Sequence, residues 1–213
     1  MAVDAHVFDM GIQTSRVLEN LKNGMSPETA GPSDERSNGN GSLMRALPLA
    51  LWHRGTDEEL VALAHTQSLP THGHAHSQVC CALYALVARH LLDGQLMNDA
   101  WGRAEVDLTT LYCGSQFALA LDFVLSKKSA VPQGSGYVVD SLWSAKSACQ
   151  ESTYAGVVRA AVALGNDTDT TACITGGLAG IHFGFDAIPL RWIDILRGRD
   201  MVKPLEKSLL LRD

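Results

Sequence analysis

Asp167 and Asp169, one residue apart and flanked by Asn166, Thr168, Thr170 and Thr171, gather two carboxylates, an amide and several hydroxyls directly after Gly165. Clustered carboxylate and hydroxyl oxygens suit a hard divalent cation such as Mg²⁺, Mn²⁺ or Ca²⁺. They also suit the start of a helix, where Asn166, Asp167 or Thr168 would cap the first turn and the negative charges would complement the dipole. The two readings share one geometric demand. Residues i and i+2 do not face each other on a helix, so Asp167 and Asp169 converge only if Asp167 lies just outside it. Gly165, free to take a positive φ, would close the helix before. A calcium loop of the EF-hand type is excluded: counting from Asp167, its glycine position holds Ala172 and its closing glutamate position holds Leu178. Any metal held here draws its remaining ligands from elsewhere.

Three further stretches carry residues suited to chemistry. Asn38-Gly39-Asn40-Gly41-Ser42 combines two glycines with polar donors and is expected to open a helix at Leu43. Backbone N–H groups at such a turn can cradle an anion, and a plain flexible turn fits equally well. The standard phosphate loops do not fit, because no Gly-Lys-Ser/Thr ending follows and position 44 is Met rather than a third glycine. Thr71-His72-Gly73-His74-Ala75-His76 alternates three histidines. These would chelate Zn²⁺ only if extended, and no cysteine or carboxylate stands nearby at ligand spacing, so the competing reading is a polar helix entry. Tyr137 follows a loop over 127–136 containing Pro132, Gly134 and Gly136, as a half-buried aromatic or as a ring beside a ligand.

Together these stretches resemble the ADP-ribosylglycohydrolase family. The 165–171 motif and the small-residue helix after it look like that family's C-terminal metal motif. Asn38-Gly39-Asn40-Gly41-Ser42-Leu43-Met44-Arg45 resembles its glycine loop, Leu69-Pro70-Thr71-His72 its Thr-His segment, and Ser135-Gly136-Tyr137-Val138-Val139-Asp140 a further element, all in the family's order. The resemblance implies an all-α single-domain fold over 1–213 and hydrolysis of a glycosidic bond between ADP-ribose and a protein side chain or small molecule. It implies Asp167, Asp169 and Thr170 as metal ligands, with Mg²⁺ or Mn²⁺ as the cofactor and two ions in the complete site. It further implies Ser37, Asn38, Gly39, Asn40, Gly41, His72, Gly136 and Tyr137 as contacts of ADP-ribose or of an ADP-ribosylated protein. His74 and His76 have no family counterpart.

The family's opening Gly-Asp-Ala-x-Gly segment with its glutamate, and its Thr-Asp-Asp-Thr segment, have no counterpart here. By resemblance the chain is a member lacking the family's N-terminal part, so the catalytic acidic residue is not assigned to any position of this sequence. Three expectations follow: a hydrolase completed by a separate chain that supplies the missing segment, an ADP-ribose-binding module impaired in catalysis, or an incomplete relic with exposed apolar surface. A half-site of two carboxylates and a hydroxyl would bind Mg²⁺ weakly on its own.

The elements that must position these residues read as helices at 14–23, 57–66, 77–92, 116–126, 138–149, 154–164 and 168–183. Val79, Leu83, Leu86, Val87 and Leu91 mark one face of the 77–92 helix. The 98–114 stretch is ambiguous. Pro48 is expected to kink or interrupt a helix over 42–53, and 26–37 reads as an exposed loop. Gly176, Gly177, Ala179 and Gly180 predict close helix approach. Pro189 is expected to start a helix through Leu196 with Trp192 buried, and 203–213 a frayed final helix.

Composition sets the outer bounds. A chain of 213 residues, 46% hydrophobic and 19% charged, can bury a core. Its 17 basic and 23 acidic residues give −6 with no basic run, which argues against nucleic acid and against a membrane surface. No stretch has the apolar length of a membrane span, and Asp4, His6 and Asp9 interrupt any signal-peptide pattern, so the cytoplasm is the expected compartment. Five cysteines, odd in number and without a C-x-x-C pair, read mostly as reduced core residues.

Overall fold

The computed structural model describes residues 10–210, and among these the chain is all-α, with twelve α-helices. In chain order they are α1 (Ile12–Lys22), α2 (Pro27–Ala30), α3 (Leu47–Trp52), α4 (Asp57–Ser68), α5 (Ala75–Leu92), α6 (Met97–Leu111), α7 (Ala118–Ser126), α8 (Val138–Ala148), α9 (Tyr154–Ala163), α10 (Thr168–Phe183), α11 (Leu190–Asp194) and α12 (Arg199–Leu210). The described residues hold no strand, only an isolated antiparallel bridge between Gly39 and Tyr137. No helix among them is long and apolar enough to cross a membrane.

The fold is built around α5. Its periodicity predicted one buried face, yet every residue from Ser77 to Ala88 is buried and the helix packs against α3, α4, α6, α7, α8 and α10. The other faces carry Cys80, Cys81, Ala82, Ala85 and Ala88, small side chains that leave little amphipathic contrast while letting neighbours approach. Burying a side chain such as Leu83 or Leu86 contributes about 1.5–3 kcal/mol. Local signals set the flanking helices. In α4, Thr56 Oγ1 accepts from the Glu59 N–H at 3.2 Å while Glu59 accepts from the Thr56 N–H at 2.9 Å, a reciprocal cap. The ambiguous 98–114 stretch resolves as α6, whose buried Met97, Ala100, Trp101, Ala104 and Leu108 follow a helical period.

Several expectations are corrected. No helix opens at Leu43: residues 41–45 are turns, and α3 starts at Leu47 with Pro48 in its first turn, where a missing N–H costs nothing. Rather than kinking a helix, Pro48 marks where one starts. The 26–37 stretch contains one helical turn, α2, capped by Ser26. Trp192 is half-buried beside Tyr154, ring centres 6.2 Å apart, and α11 is shorter than expected. The last helix begins at Arg199, and positions 211–213 of the expected tail lie outside the described residues, as do Asp4, His6 and Asp9. Cys80, Cys81 and Cys149 are buried as expected, whereas Cys113 and Cys173 are exposed; all five are free thiols.

The glycines of α10 fulfil their role at one position above all. A Cβ on Gly177 would lie 2.7 Å from Leu47 Cδ2 and 2.9 Å from the Tyr84 hydroxyl, so glycine is what lets α10 settle against α3 and α5. The Tyr84 hydroxyl donates to the Ile174 carbonyl at 2.9 Å in the same contact. This seats the start of α10 beside the loops described next.

Candidate active site

Three loops converge at the start of α10. The glycine loop pairs with the segment before α8: the Asn40 N–H donates to the Gly136 carbonyl at 3.0 Å and the Val138 N–H to the Asn38 carbonyl at 2.9 Å. Both asparagine side chains turn inward. Asn38 accepts from Ser77 Oγ at 3.2 Å and donates to the Glu35 carbonyl at 3.0 Å. Asn40 Nδ2 donates to Ser141 Oγ and to Asp167 Oδ2, each at 2.8 Å. Asp140 shapes the loop ahead of Tyr137, accepting from the Ser135 N–H and hydroxyl at 2.7 Å each and from the Gln133 N–H at 3.0 Å.

Asp167 is held outside α10, as the two-carboxylate geometry demanded. Gly165 at φ 76° and Asn166 at φ 56° both take the left-handed conformation, the latter with its amide donating to the Gln133 carbonyl at 2.9 Å. The Asp167 N–H donates to the Gly134 carbonyl at 2.9 Å. Asp167 stands at the N-cap position, yet its carboxylate caps nothing and points instead to Asn40. Asp169 is exposed, and its carboxylate makes no hydrogen bond or ion pair among the described residues. Thr170 is buried, its hydroxyl 3.9 Å from Met44 Sδ. A Cβ on Gly136 would sit 3.5 Å from Asp167 Oδ2, so this glycine keeps the carboxylate's surroundings open.

On the other side of the glycine loop lies His72, 3% exposed. Neither Gly39 nor Gly41 has a positive φ; a Cβ on Gly39 would lie 3.2 Å from His72 Nε2, and one on Gly41 2.9 Å from Cε1. The close approach of an imidazole leaves no room for a side chain at Gly41 and little at Gly39. Burial, with the charge of Arg45 second, pushes the His72 pKa down to about 4, leaving a neutral ring. Tyr137 is exposed beside the loop, and partial burial of its hydroxyl end raises its pKa.

The structure therefore brings Asn40, Gly136 and Asp167 into one contact network, sets His72 under Gly39 and Gly41, and joins Tyr137 to the loop through its bridge to Gly39. Ser37 lies at the edge, donating to Asp34 at 2.7 Å. His74 and His76 form a helix entry: His74 Nδ1 accepts from the His76 N–H at 3.1 Å, and the His76 ring stacks on Phe123 with centres 4.3 Å apart. Four contributors escaped the sequence reading. Ser141 bridges Asn40 to the Ser135 carbonyl, Gln13 donates to the Thr71 carbonyl at 2.6 Å and the Ser37 carbonyl at 3.2 Å, and Arg45 and Gly31 brace the Thr-His turn. Arg45 ends the glycine-loop motif, though nothing in its spacing discloses what it holds.

A second group, Asp57, His90 and Asp107, places one ligand atom from each within 4.8 Å of the others. Its carboxylates already face arginines, Asp57 with Arg89 at 3.6 Å and Asp107 with Arg103 at 2.9 Å, which compete with any cation.

The whole sequence, residues 1–213, matches the family profile described as ADP-ribosylglycohydrolase. The chain belongs to the ADP-ribosylglycohydrolase family. ADP-ribosylarginine hydrolase Tri1 of Serratia proteamaculans (strain 568) is 27% identical over 204 residues, 95% of this chain and 54% of that protein. ADP-ribosyl-[dinitrogen reductase] glycohydrolase of Rhodospirillum rubrum is 30% identical over 169 residues, 79% of this chain and 54% of that protein. A solved ADP-ribosylglycohydrolase-related protein complex superposes with a TM-score of 0.73 at 31% identity, over 93% of this chain and 68% of that one. The chain thus spans about half the length of the curated relatives it matches.

The family is metal-dependent in general, and the donors at the start of α10 fit a hard cation. Asp167 has one carboxylate oxygen engaged by a neutral amide and the other free of protein partners, Asp169 is unpaired, and neither is neutralised by an ion pair among the described residues. All are oxygen ligands of the class that Mg²⁺ and Mn²⁺ accept.

Proposed function

We propose that this chain acts as a metal-dependent hydrolase of the ADP-ribosylglycohydrolase type, removing ADP-ribose from a protein side chain or small molecule, with metal ligands at the start of α10. The observation that carries this reading is the Asn40–Asp167 contact, which ties the glycine loop to a carboxylate that caps no helix. Asp167, Asp169 and Thr170 are the ligands for Mg²⁺ or Mn²⁺. When bound, such an ion polarises and orients the bond to be hydrolysed and its attacking water. The loop 38–41, His72, Gly136 and Tyr137 line the ligand's position, with His72 supplying a neutral donor and Tyr137 an exposed ring for the nucleoside. Ser37 acts at the rim. The names of two relatives make an ADP-ribosylated arginine the favoured substrate. Five free cysteines suit a reducing compartment, the cytoplasm. The comparisons lend no support to a separate chain supplying the family's N-terminal segment, and none is invoked.

Titration calorimetry of the folded protein with ADP-ribose, with and without Mg²⁺ or Mn²⁺, tests the site. Metal-enhanced binding that Asp167→Ala, Asp169→Ala abolishes is the expected result. A folded protein that binds ADP-ribose in no condition would sink the proposal, and binding without release of ADP-ribose from a modified arginine would favour an impaired binding module.

A further inference from the structure

Arg45 has no carboxylate partner among the described residues. Its guanidinium is spent on the turn beneath the glycine loop: Nη2 donates to the Gln67 carbonyl and to Thr71 Oγ1, each at 2.7 Å, Nε donates to Gln67 Oε1 at 3.1 Å, and Nη1 to the Gly41 carbonyl at 3.3 Å. Thr71 Oγ1 also lies 2.7 Å from His72 Nδ1. A guanidinium has no acceptor, so Thr71 must accept from Arg45. Its own hydrogen then has one protein acceptor in reach among the described residues, Nδ1 of His72. Were Thr71 to accept from an Nδ1–H as well, its hydroxyl hydrogen would have no protein acceptor. Donating that hydrogen to Nδ1 satisfies both groups and puts the ring hydrogen on Nε2, which has no protein hydrogen-bond partner among the described residues and lies 3.2 Å and 3.4 Å from where side chains on Gly39 and Gly41 would begin. The two glycines keep this nitrogen uncovered.

We infer that Arg45, acting through Thr71, is a positioning residue that fixes His72 as the Nε2–H tautomer, a donor aimed between Gly39 and Gly41 at an oxygen of the bound ligand. The ligand half of this rests on the site proposed above. The tautomer half does not. Burial keeps the ring neutral in the same arrangement, so the donor carries no charge to compete with a nearby cation. Anchoring of the His72 backbone is separate, its carbonyl accepting from Ser68 Oγ at 2.8 Å, so the relay governs where the proton sits rather than where the residue sits.

Long-range ¹H–¹⁵N spectra of ¹⁵N-histidine-labelled protein, with His72 assigned by the signal lost in His72→Gln, read the tautomer directly. Wild type is expected to show an unprotonated Nδ1 and a protonated Nε2. Thr71→Val, close in shape, removes the donor to Nδ1, mixes the tautomers and weakens ADP-ribose binding in Mg²⁺ about tenfold, the worth of one strong hydrogen bond. Thr71→Ser restores both, and Arg45→Gln moves both in the direction of Thr71→Val. A protonated Nδ1 in wild type, or a tautomer unmoved by Thr71→Val, overturns the relay. A changed tautomer with unchanged affinity overturns the donor role. Wild-type protein that binds no ADP-ribose refutes the site proposal and this donor role together, while the spectrum still decides the relay.

Discussion

Replacing Asn40 by aspartate keeps the side chain's shape and reverses its contact with Asp167. The amide that donates to Asp167 Oδ2 at 2.8 Å becomes a second carboxylate facing the first. Losing a hydrogen bond to a charged group costs about 1.5–3 kcal/mol. Two like charges with centres about 4 Å apart repel by about 4 kcal/mol at an effective dielectric constant of about 20. Asn40 is 7% exposed while Asp167 is half-buried, so solvent and side-chain relaxation return part of this. A net destabilisation of about 3–5 kcal/mol remains, a fall in melting temperature of about 6–20 °C for a chain of this size. A bound divalent ion reverses the sign of the change, because the added carboxylate becomes a ligand or a favourable neighbour. Calorimetric melting with and without millimolar Mn²⁺ is the assay. Mn²⁺ should raise the melting temperature of Asn40→Asp by more than it raises that of wild type. If the variant melts with wild type in the absence of metal, the contact does not close the site; if it is destabilised and Mn²⁺ gives no extra recovery, Asp167 is not a metal ligand.

Gly31→Ala tests the brace under the Thr-His turn: a Cβ there would lie 2.1 Å from the Leu69 carbonyl oxygen and 2.8 Å from the His72 nitrogen, both backbone atoms that cannot swing aside. A loss of about 3 kcal/mol or more is expected in urea unfolding, and a loss below about 1 kcal/mol would show that the turn yields. Acid should also weaken the fold through His65 and His72, whose pKa values burial pushes down to about 4. Above an unfolded-state pKa of about 6.5 both states are neutral and the two groups contribute no pH dependence. Below it the unfolded chain takes up protons that the folded chain refuses, so stability falls as pH drops from about 6.5 towards 4, by roughly 3 kcal/mol per histidine over the full window. Urea midpoints at pH 7 and pH 5 check this, and His65→Gln should flatten the difference; equal midpoints would refute it.

What the sequence discloses divides by the range of the interactions involved. The start of α4 at Asp57 and the reach of α10 over Thr168–Phe183 follow from local rules, a cap and a helical period, and both are as expected. The convergence of Asp167 with Asn40 spans 127 positions, and no periodicity encodes that distance. Family resemblance supplied the residues; only packing shows how they meet. Gly39 and Gly41 illustrate the gap: a glycine pair in a polar loop suggested backbone freedom or an anion cradle, whereas the two positions face an imidazole from a different turn. The polar-to-apolar pattern at Leu43 does not start a helix because a local constraint outranks it, the fixed φ of Pro48 setting the start of α3. Ser141 and Gln13 gave no signal, since a buried hydroxyl and amide are defined by partners far away in sequence.

The partners of the carboxylates separate the start of α10 from the other acidic group of the described residues. At Asp57 and Asp107 the structure sets Arg89 and Arg103 against the carboxylates, and their negative charge is satisfied by the protein itself. Such an arrangement ties α4, α5 and α6 together and gives a cation little to gain. At Asp167 the partner is a neutral amide, which fixes the direction of the carboxylate while leaving its charge in place. Asp169, two residues on, has no ion-pair partner among the described residues and lies on the first turn of α10. Two uncompensated carboxylates at a helix start, with no capping bond to explain them, add repulsion to the folded state that the dipole of α10 offsets only in part, by about 0.3–1 kcal/mol each. A fold with no use for that charge would gain from Asn or Ser at these positions, which cap as well and repel nothing. Under the proposed metal role, a bound divalent ion would offset that repulsion, and the Asn40 amide would hold one carboxylate towards it.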